Sequence, residues 1–146
     1  MKNKILIILL IFFIVLIISV YAVYNYRASV IESQKINNEY QKYYNIQVLG
    51  NELITIINKT IDINEKYGTE KNEDGQYIEN DTSSIKLYIE FRYKEDYKKV
   101  TMEDISKSGI ENFMKVYGAA SFKCTELTYH EKSKNIKSVT FTEIQD

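Results

Sequence analysis

Residues Ile5 to Tyr24 (ILIILLIFFIVLIISVYAVY) restrict this chain more than any other stretch. From Ile5 to Ile18 no side chain carries a polar atom, and the rest of the run adds only Ser19, Tyr21 and Tyr24. An α-helix rises about 1.5 Å per residue, so roughly twenty residues cross the ~30 Å hydrocarbon layer of a bilayer. Each central Leu, Ile, Phe or Val adds about −0.3 to −0.6 kcal/mol to insertion, and the run as a whole favours it by several kcal/mol. Lys2 and Lys4 precede the run, and positive charge tends to stay in the cytoplasm. The expected layout is a cytoplasmic tail at 1–4, a transmembrane anchor at 5–24 and everything later outside the cytoplasm. A cleaved signal peptide is the rival reading, with Val20 and Ala22 as the small residues before a cut. The run is long for a signal core, Ile17, Ile18 and Ser19 offer no helix breaker, and the only cysteine, Cys124, is no lipid-attachment site at the end of the run.

Beyond the anchor the chain has room for one domain. Setting Lys2 and Lys4 aside leaves 17 basic against 20 acidic residues, a net charge of about −3. That balance excludes the clustered basic face of a nucleic-acid binder. A single cysteine forms no intrachain disulfide, so the fold must rest on its core. Proline and tryptophan are absent while Ile, Lys, Asn and Tyr abound, the amino-acid bias of an AT-rich bacterial genome.

Residues 25–45 read as a helical stalk. They hold no Gly or Pro, and Tyr26, Val30, Ile36, Tyr40, Tyr43 and Tyr44 recur at roughly helical spacing. Tyr21, Tyr24 and Tyr26 suit the interfacial belt of a membrane, with Arg27 snorkelling beside them. The α+β domain is expected over 46–146. Its first helix is placed at Gln47–Tyr67 by the stripe Leu49, Leu53, Ile56, Ile57 and Ile61, with Gly68 as a left-handed cap. Ile85 to Tyr93 alternates, with Ile85, Leu87, Ile89, Phe91 and Tyr93 on one side and Lys86, Tyr88, Glu90 and Arg92 on the other, as a half-buried strand does. Lys94–Lys99 reads as a charged turn. A further helix starts at Thr101, boxed by Asp104, with Ile110, Phe113, Met114 and Tyr117 as its apolar face, Gly109 as a kink and Gly118 as its stop. Phe122–His130 and Ile136–Ile144 form a hairpin around the polar Glu131–Asn135. The expected fold is α+β: two helices packed on an antiparallel sheet of at least three strands.

One loop carries a pattern with possible chemistry. Glu70, Asn72, Asp74, Gly75 and Asp81 occupy positions 1, 3, 5, 6 and 12 of an EF-hand-type calcium loop. Position 1 is Glu rather than Asp, position 12 is Asp rather than the bidentate Glu, and a strand pattern follows in place of a second helix. Asp74-Gly75 is also a plain turn signal, and that is the reading adopted. Cys124 and His130, each unique, fall on one strand too far apart to work as nucleophile and base, so both read as structural. Asn58-Lys59-Thr60 and Asn80-Asp81-Thr82 match the glycosylation sequon, a pattern common by chance. No catalytic, cofactor or metal residue is assigned.

The order of a long N-terminal apolar helix, further helix and then strands resembles the type IV pilins and pseudopilins in organisation. Their leader glycine and acidic residue have no counterpart: the first glycine is Gly50, and Ile5–Ile31 holds no acidic residue. The segments VLGNELITIINKTIDIN (48–64) and FKCTELTYH (122–130) are similar to small, singly anchored envelope proteins of AT-rich Gram-positive bacteria. That resemblance implies an envelope location and brings no activity with it. The expected function is a non-enzymatic interaction or structural module of the cell envelope, held by the lipid bilayer through 5–24 and meeting a protein partner there. The alternative is a ligand- or calcium-responsive sensing domain, which with so short a cytoplasmic tail would signal through a membrane partner.

Overall fold

The computed structural model describes residues 2–93 and 96–144, with side chains from residue 4 onward. The side chain of Lys2, and Lys94 and Glu95 of the expected charged turn, lie outside the described residues. The chain divides into two compact units, Met1–Lys35 and Ile36–Asp146. The first belongs to helix α1, Lys2–Gln41, in which every apolar side chain from Ile5 to Val20 is 45–71% exposed. Among the described residues α1 is the one helix long and apolar enough to cross a membrane.

The second unit is α+β. Its elements, in chain order, are the last turns of α1, strand β1 (Gln47–Leu49), helix α2 (Gly50–Lys66), strands β2 (Lys86–Tyr93) and β3 (Asp96–Thr101), helices α3 (Met102–Ser108) and α4 (Ile110–Tyr117), and strands β4 (Ser121–Tyr129) and β5 (Ile136–Ile144). The strands form one five-stranded sheet ordered β1-β4-β5-β2-β3. The hairpins β2–β3 and β4–β5 and the pair β1–β4 are antiparallel, whereas β2 and β5 run parallel. The sheet is therefore mixed, because two sequence-local hairpins are joined side by side through their non-consecutive strands.

Register explains the core. Val48 lies opposite Phe122, Cys124 opposite Phe141, and Phe141 opposite Ile89, while Val139 lies between Leu87 and Leu127. All of these except Leu127 are buried. Helix α2 lays Leu53, Ile56 and Ile57 into the same cluster, and α4 adds Phe113, whose ring stacks 6.3 Å from Phe122. Phe91, half-buried, packs among Phe113, Tyr117 and Phe122. Full burial of one such side chain stabilises by about 1.5–3 kcal/mol, so this cluster is the main source of stability in a fold without a disulfide.

Several sequence expectations are corrected here. Gln47–Leu49 is a strand rather than the first turn of α2, because Val48 pairs with Phe122 on β4, and Leu49 is left exposed. Ile61 is only half-buried. Residues 36–45, which read as stalk, pack with the folded unit: Tyr40 is core, Tyr43 meets Phe141 edge-on, and the Asn37 amide spans the Lys134 carbonyl and the Ile136 N–H. Asp96–Thr101 is edge strand β3, not turn. The expected single helix after Thr101 is two, broken at Gly109, whose φ of 94° no helix interior contains. Met114 is exposed; α4 does stop at Gly118 as expected, though with a right-handed φ of −57° in place of a left-handed cap. Tyr93 is exposed beyond the end of the core.

The expected caps are present where local rules suffice. Thr101 and Asp104 form a capping box. Gly68, at φ 63°, closes α2 as a Schellman motif, with Gly68 N–H to Glu65 O at 3.0 Å and Thr69 N–H to Asn64 O at 2.9 Å. The start of α2 has no side-chain cap; instead Gly50 N–H donates to Ala120 O and Asn51 N–H to Gly118 O. That close approach leaves no room at Gly50, where a Cβ would overlap the Tyr117 carbonyl oxygen.

Candidate functional site

The acidic loop is built as a turn. Gly75, at φ 71°, lets its N–H reach Asn72 O at 2.8 Å, and the Asn72 side-chain oxygen accepts from Gln76 N–H at 2.8 Å. The Asp74 carbonyl accepts from the Lys107 ammonium, and the Asp81 carboxylate pairs with Lys132, which holds its carboxyl below the ordinary value. The would-be calcium ligands are thus committed to different partners. Among the described residues no group of three or more His, Cys, Asp or Glu side chains is placed to hold a metal.

Cys124 and His130 both lie inside the fold. Burial pushes the Cys124 thiol up to about 11, so at neutral pH it is the protonated, unreactive form. His130, just past the end of β4, is fixed by a 2.8 Å bond between Nε2 and the Ser84 carbonyl, in which Nε2 must donate. It ties the 80–84 loop to the β4–β5 turn. Asn64 does similar work from α2: its amide gives a hydrogen bond to Ile85 O and takes one from Ile85 N–H, both at 2.8 Å, as a strand neighbour would. Tyr40 donates to or accepts from Thr60 at 2.7 Å, and burial raises its phenol far above the usual range.

The open face of the sheet is polar. Thr142 donates to Glu90 at 2.9 Å, and Thr125 Oγ1 meets Thr142 Oγ1 at 2.9 Å. Thr128 pairs with Ser138 at 2.6 Å, and the Lys99 ammonium lies 4.4 Å above the Tyr88 ring while facing Glu90. This ladder of hydroxyls and carboxylates satisfies itself across strands. Thr140 and Thr142 are buried within it, and Thr125, Glu126 and Lys99 are its exposed groups.

Sequence reasoning missed one arrangement. Glu103, in the first turn of α3, is only 5% exposed. Its Oε1 accepts from Tyr77 N–H at 3.1 Å and faces Lys86 Nζ at 3.7 Å, and Lys86 also donates to the Tyr77 carbonyl. Its Oε2 is buried with no hydrogen-bond partner among the described residues. Glu103 lines a cavity of about 230 Å³ together with Ile61 and Glu65 of α2, the turn residues Lys71, Gly75 and Tyr77, and Ser106 and Lys107 of α3. The only sequence signal was an acidic residue two places after a capping threonine, which ordinarily reads as a favourable charge on the helix dipole.

No protein-family model, curated protein or solved structure matches this chain.

Proposed function

We propose that this chain is a single-span membrane protein whose 36–146 unit is carried outside the cytoplasm as a non-enzymatic interaction or structural module of the cell envelope, related to the small singly anchored proteins its segments resemble. The observation behind this reading is α1: a helix apolar on every side from Ile5 to Ile18, with all of those side chains exposed. An apolar surface that large on one helix is stable only when covered, and a hydrocarbon layer covers it without a protein partner. Lys4 at its start, with Lys2, supports an N-terminus in the cytoplasm. The polar face of the sheet supports an interaction role through its exposed groups, Thr125, Glu126 and Lys99.

Reporter fusions after Asp146 test the topology. Alkaline phosphatase, which folds only outside the cytoplasm, is expected to be active, and green fluorescent protein at the same point dark. An inactive phosphatase with a bright fluorescent fusion reverses the orientation. N-terminal sequencing of the membrane-extracted chain decides between an anchor and a cleaved signal.

A further inference from the structure

We infer that the open stretch of the β4 edge, residues 126–129, takes an added strand: an extended segment of a partner protein with a basic residue opposite Glu126. This gives the interaction reading above a place and a class of partner, and it rests on that reading. The reporter fusions test topology and the titration below tests the site, so each can fail without the other.

β4 is nine residues long, yet β1 pairs only with its first three, Ser121, Phe122 and Lys123. One position further the same edge is still in use. Cys124 N–H donates to Ile46 O at 3.3 Å, and Cys124 O accepts from Asn45 N–H at 2.9 Å. There the flanking chain leaves the edge: Asn45 has φ 60°, and the turn bond from Tyr43 N–H to Tyr40 O joins it to the end of α1. Beyond this point β4 has β5 on one side and, among the described residues, no strand on the other. His130 N–H bonds to Asn135 O across the β4–β5 turn. Counting back through the alternation of an antiparallel ladder, Leu127 and Tyr129 turn their N–H and C=O groups to the open side. Among the described residues no hydrogen bond occupies them there. Two donors and two acceptors at ladder spacing are a template for another chain.

The surroundings make this edge a slot. Gln41 and Tyr44 flank it on one side, and Thr125, Glu126, Leu127 and Tyr129 on the other, around a groove of about 490 Å³. The Gln41 amide donates to the Tyr129 hydroxyl at 3.0 Å and so bridges the two sides. Tyr44 and Tyr129 are 49% and 39% exposed, which offers aromatic surface to alternate side chains of an incoming strand. Among the described residues Glu126 is the one charged side chain in the lining, and it is exposed. Opposite charges facing each other across paired strands stabilise and like charges destabilise, so the slot selects a cationic residue at that position. The far edge of the sheet differs. β3 carries Lys98 and Lys99 within six residues, the kind of charge that keeps an edge unpaired. In strand addition the main-chain bonds supply affinity and the flanking side chains supply selectivity.

The probe is the peptide acetyl-Val-Thr-Val-Lys-Val-amide, which in antiparallel register sets valines opposite Leu127 and Tyr129 and lysine opposite Glu126. It is titrated into the full chain in detergent micelles, with empty micelles as baseline. Two companions are a form with glutamate in place of lysine and a form with all three valines N-methylated. Saturable binding of the lysine peptide is expected, with the glutamate peptide weaker by roughly threefold to tenfold. The N-methylated form keeps the side chains and loses the donors, and no binding is expected of it. Amide hydrogen exchange at Leu127 and Tyr129, fast in the free protein, is expected to slow when the lysine peptide is added. Glu126→Lys, at an exposed position, is expected to reverse the preference between the two charged peptides. Absence of saturable binding by the lysine peptide overturns the inference. So does binding that survives N-methylation, or a charge preference that Glu126→Lys leaves unchanged. Slowing of the same two amides by raised protein concentration alone identifies a second copy as the occupant and overturns it as well.

Discussion

Leu10 in α1 and Leu53 in α2 are the same residue in the same secondary structure, yet Leu10 is 62% exposed and Leu53 fully enclosed. The difference is in their neighbours along the helix. Around Leu10 every position is apolar, so the helix has no polar side to turn toward water. Around Leu53 the buried residues Ile56, Ile57 and Thr60 fall on one face, with Asn51, Lys59 and Asp62 exposed elsewhere. A stripe specifies which side meets a protein core; an unbroken cylinder specifies a solvent instead. The amount of hydrophobicity matters less than its angular distribution.

The sharpest way to break this comparison is to remove both leucines in turn. Leu53→Ala is expected to destabilise the 36–146 unit by about 2–5 kcal/mol, a large share of the roughly 5–15 kcal/mol available to a small domain. Leu10→Ala should leave its thermal unfolding in detergent unchanged, whereas Leu10→Lys should cost about 3 kcal/mol of insertion and show in the membrane-bound fraction. Equal melting shifts for Leu53→Ala and Leu10→Ala would mean that the first helix is covered by protein, and the contrast would collapse. A smaller effect sharpens the description of how α2 begins. Gly50→Ala puts a methyl group against the Tyr117 carbonyl and should cost about 1–3 kcal/mol, unlike alanine at an ordinary helix start. The smallest expected change is local: Thr101→Ala removes the capping box of α3 for about 1 kcal/mol, measured by urea unfolding with an unaltered m-value.

What could be read from the residues was whatever local chemistry decides. The alternation from Ile85 to Phe91, the Gly68 cap, the Thr101–Asp104 box and the β4–β5 hairpin all depend on neighbours within a few positions. The misread elements depend on distant ones. Leu49 continues the periodicity of Leu53, so Gln47–Leu49 looks helical until β4, more than seventy residues on, offers Val48 a partner. Asp96–Thr101 is an edge strand with Lys98 and Lys99 on it, and charge that protects an edge from pairing also hides its strand character. The cavity at Glu103 could not be seen at all. Its burial comes from Tyr77, twenty-six residues earlier, folding across the start of α3.

The parallel pairing of β2 with β5 bears on the order in which the chain can fold. β5 comes last in chain order among the five strands of the sheet, and it occupies the slot between β4 and β2, bridging a separation of about fifty residues on the β2 side. Until it arrives, the growing chain holds two incomplete sheets with Leu87, Ile89, Phe122 and Cys124 facing no partner strand on that side. Such non-local closure slows folding and exposes edges able to pair with another molecule in the meantime. The nascent unit therefore passes through a stage in which its unpaired strand edges are open to other molecules.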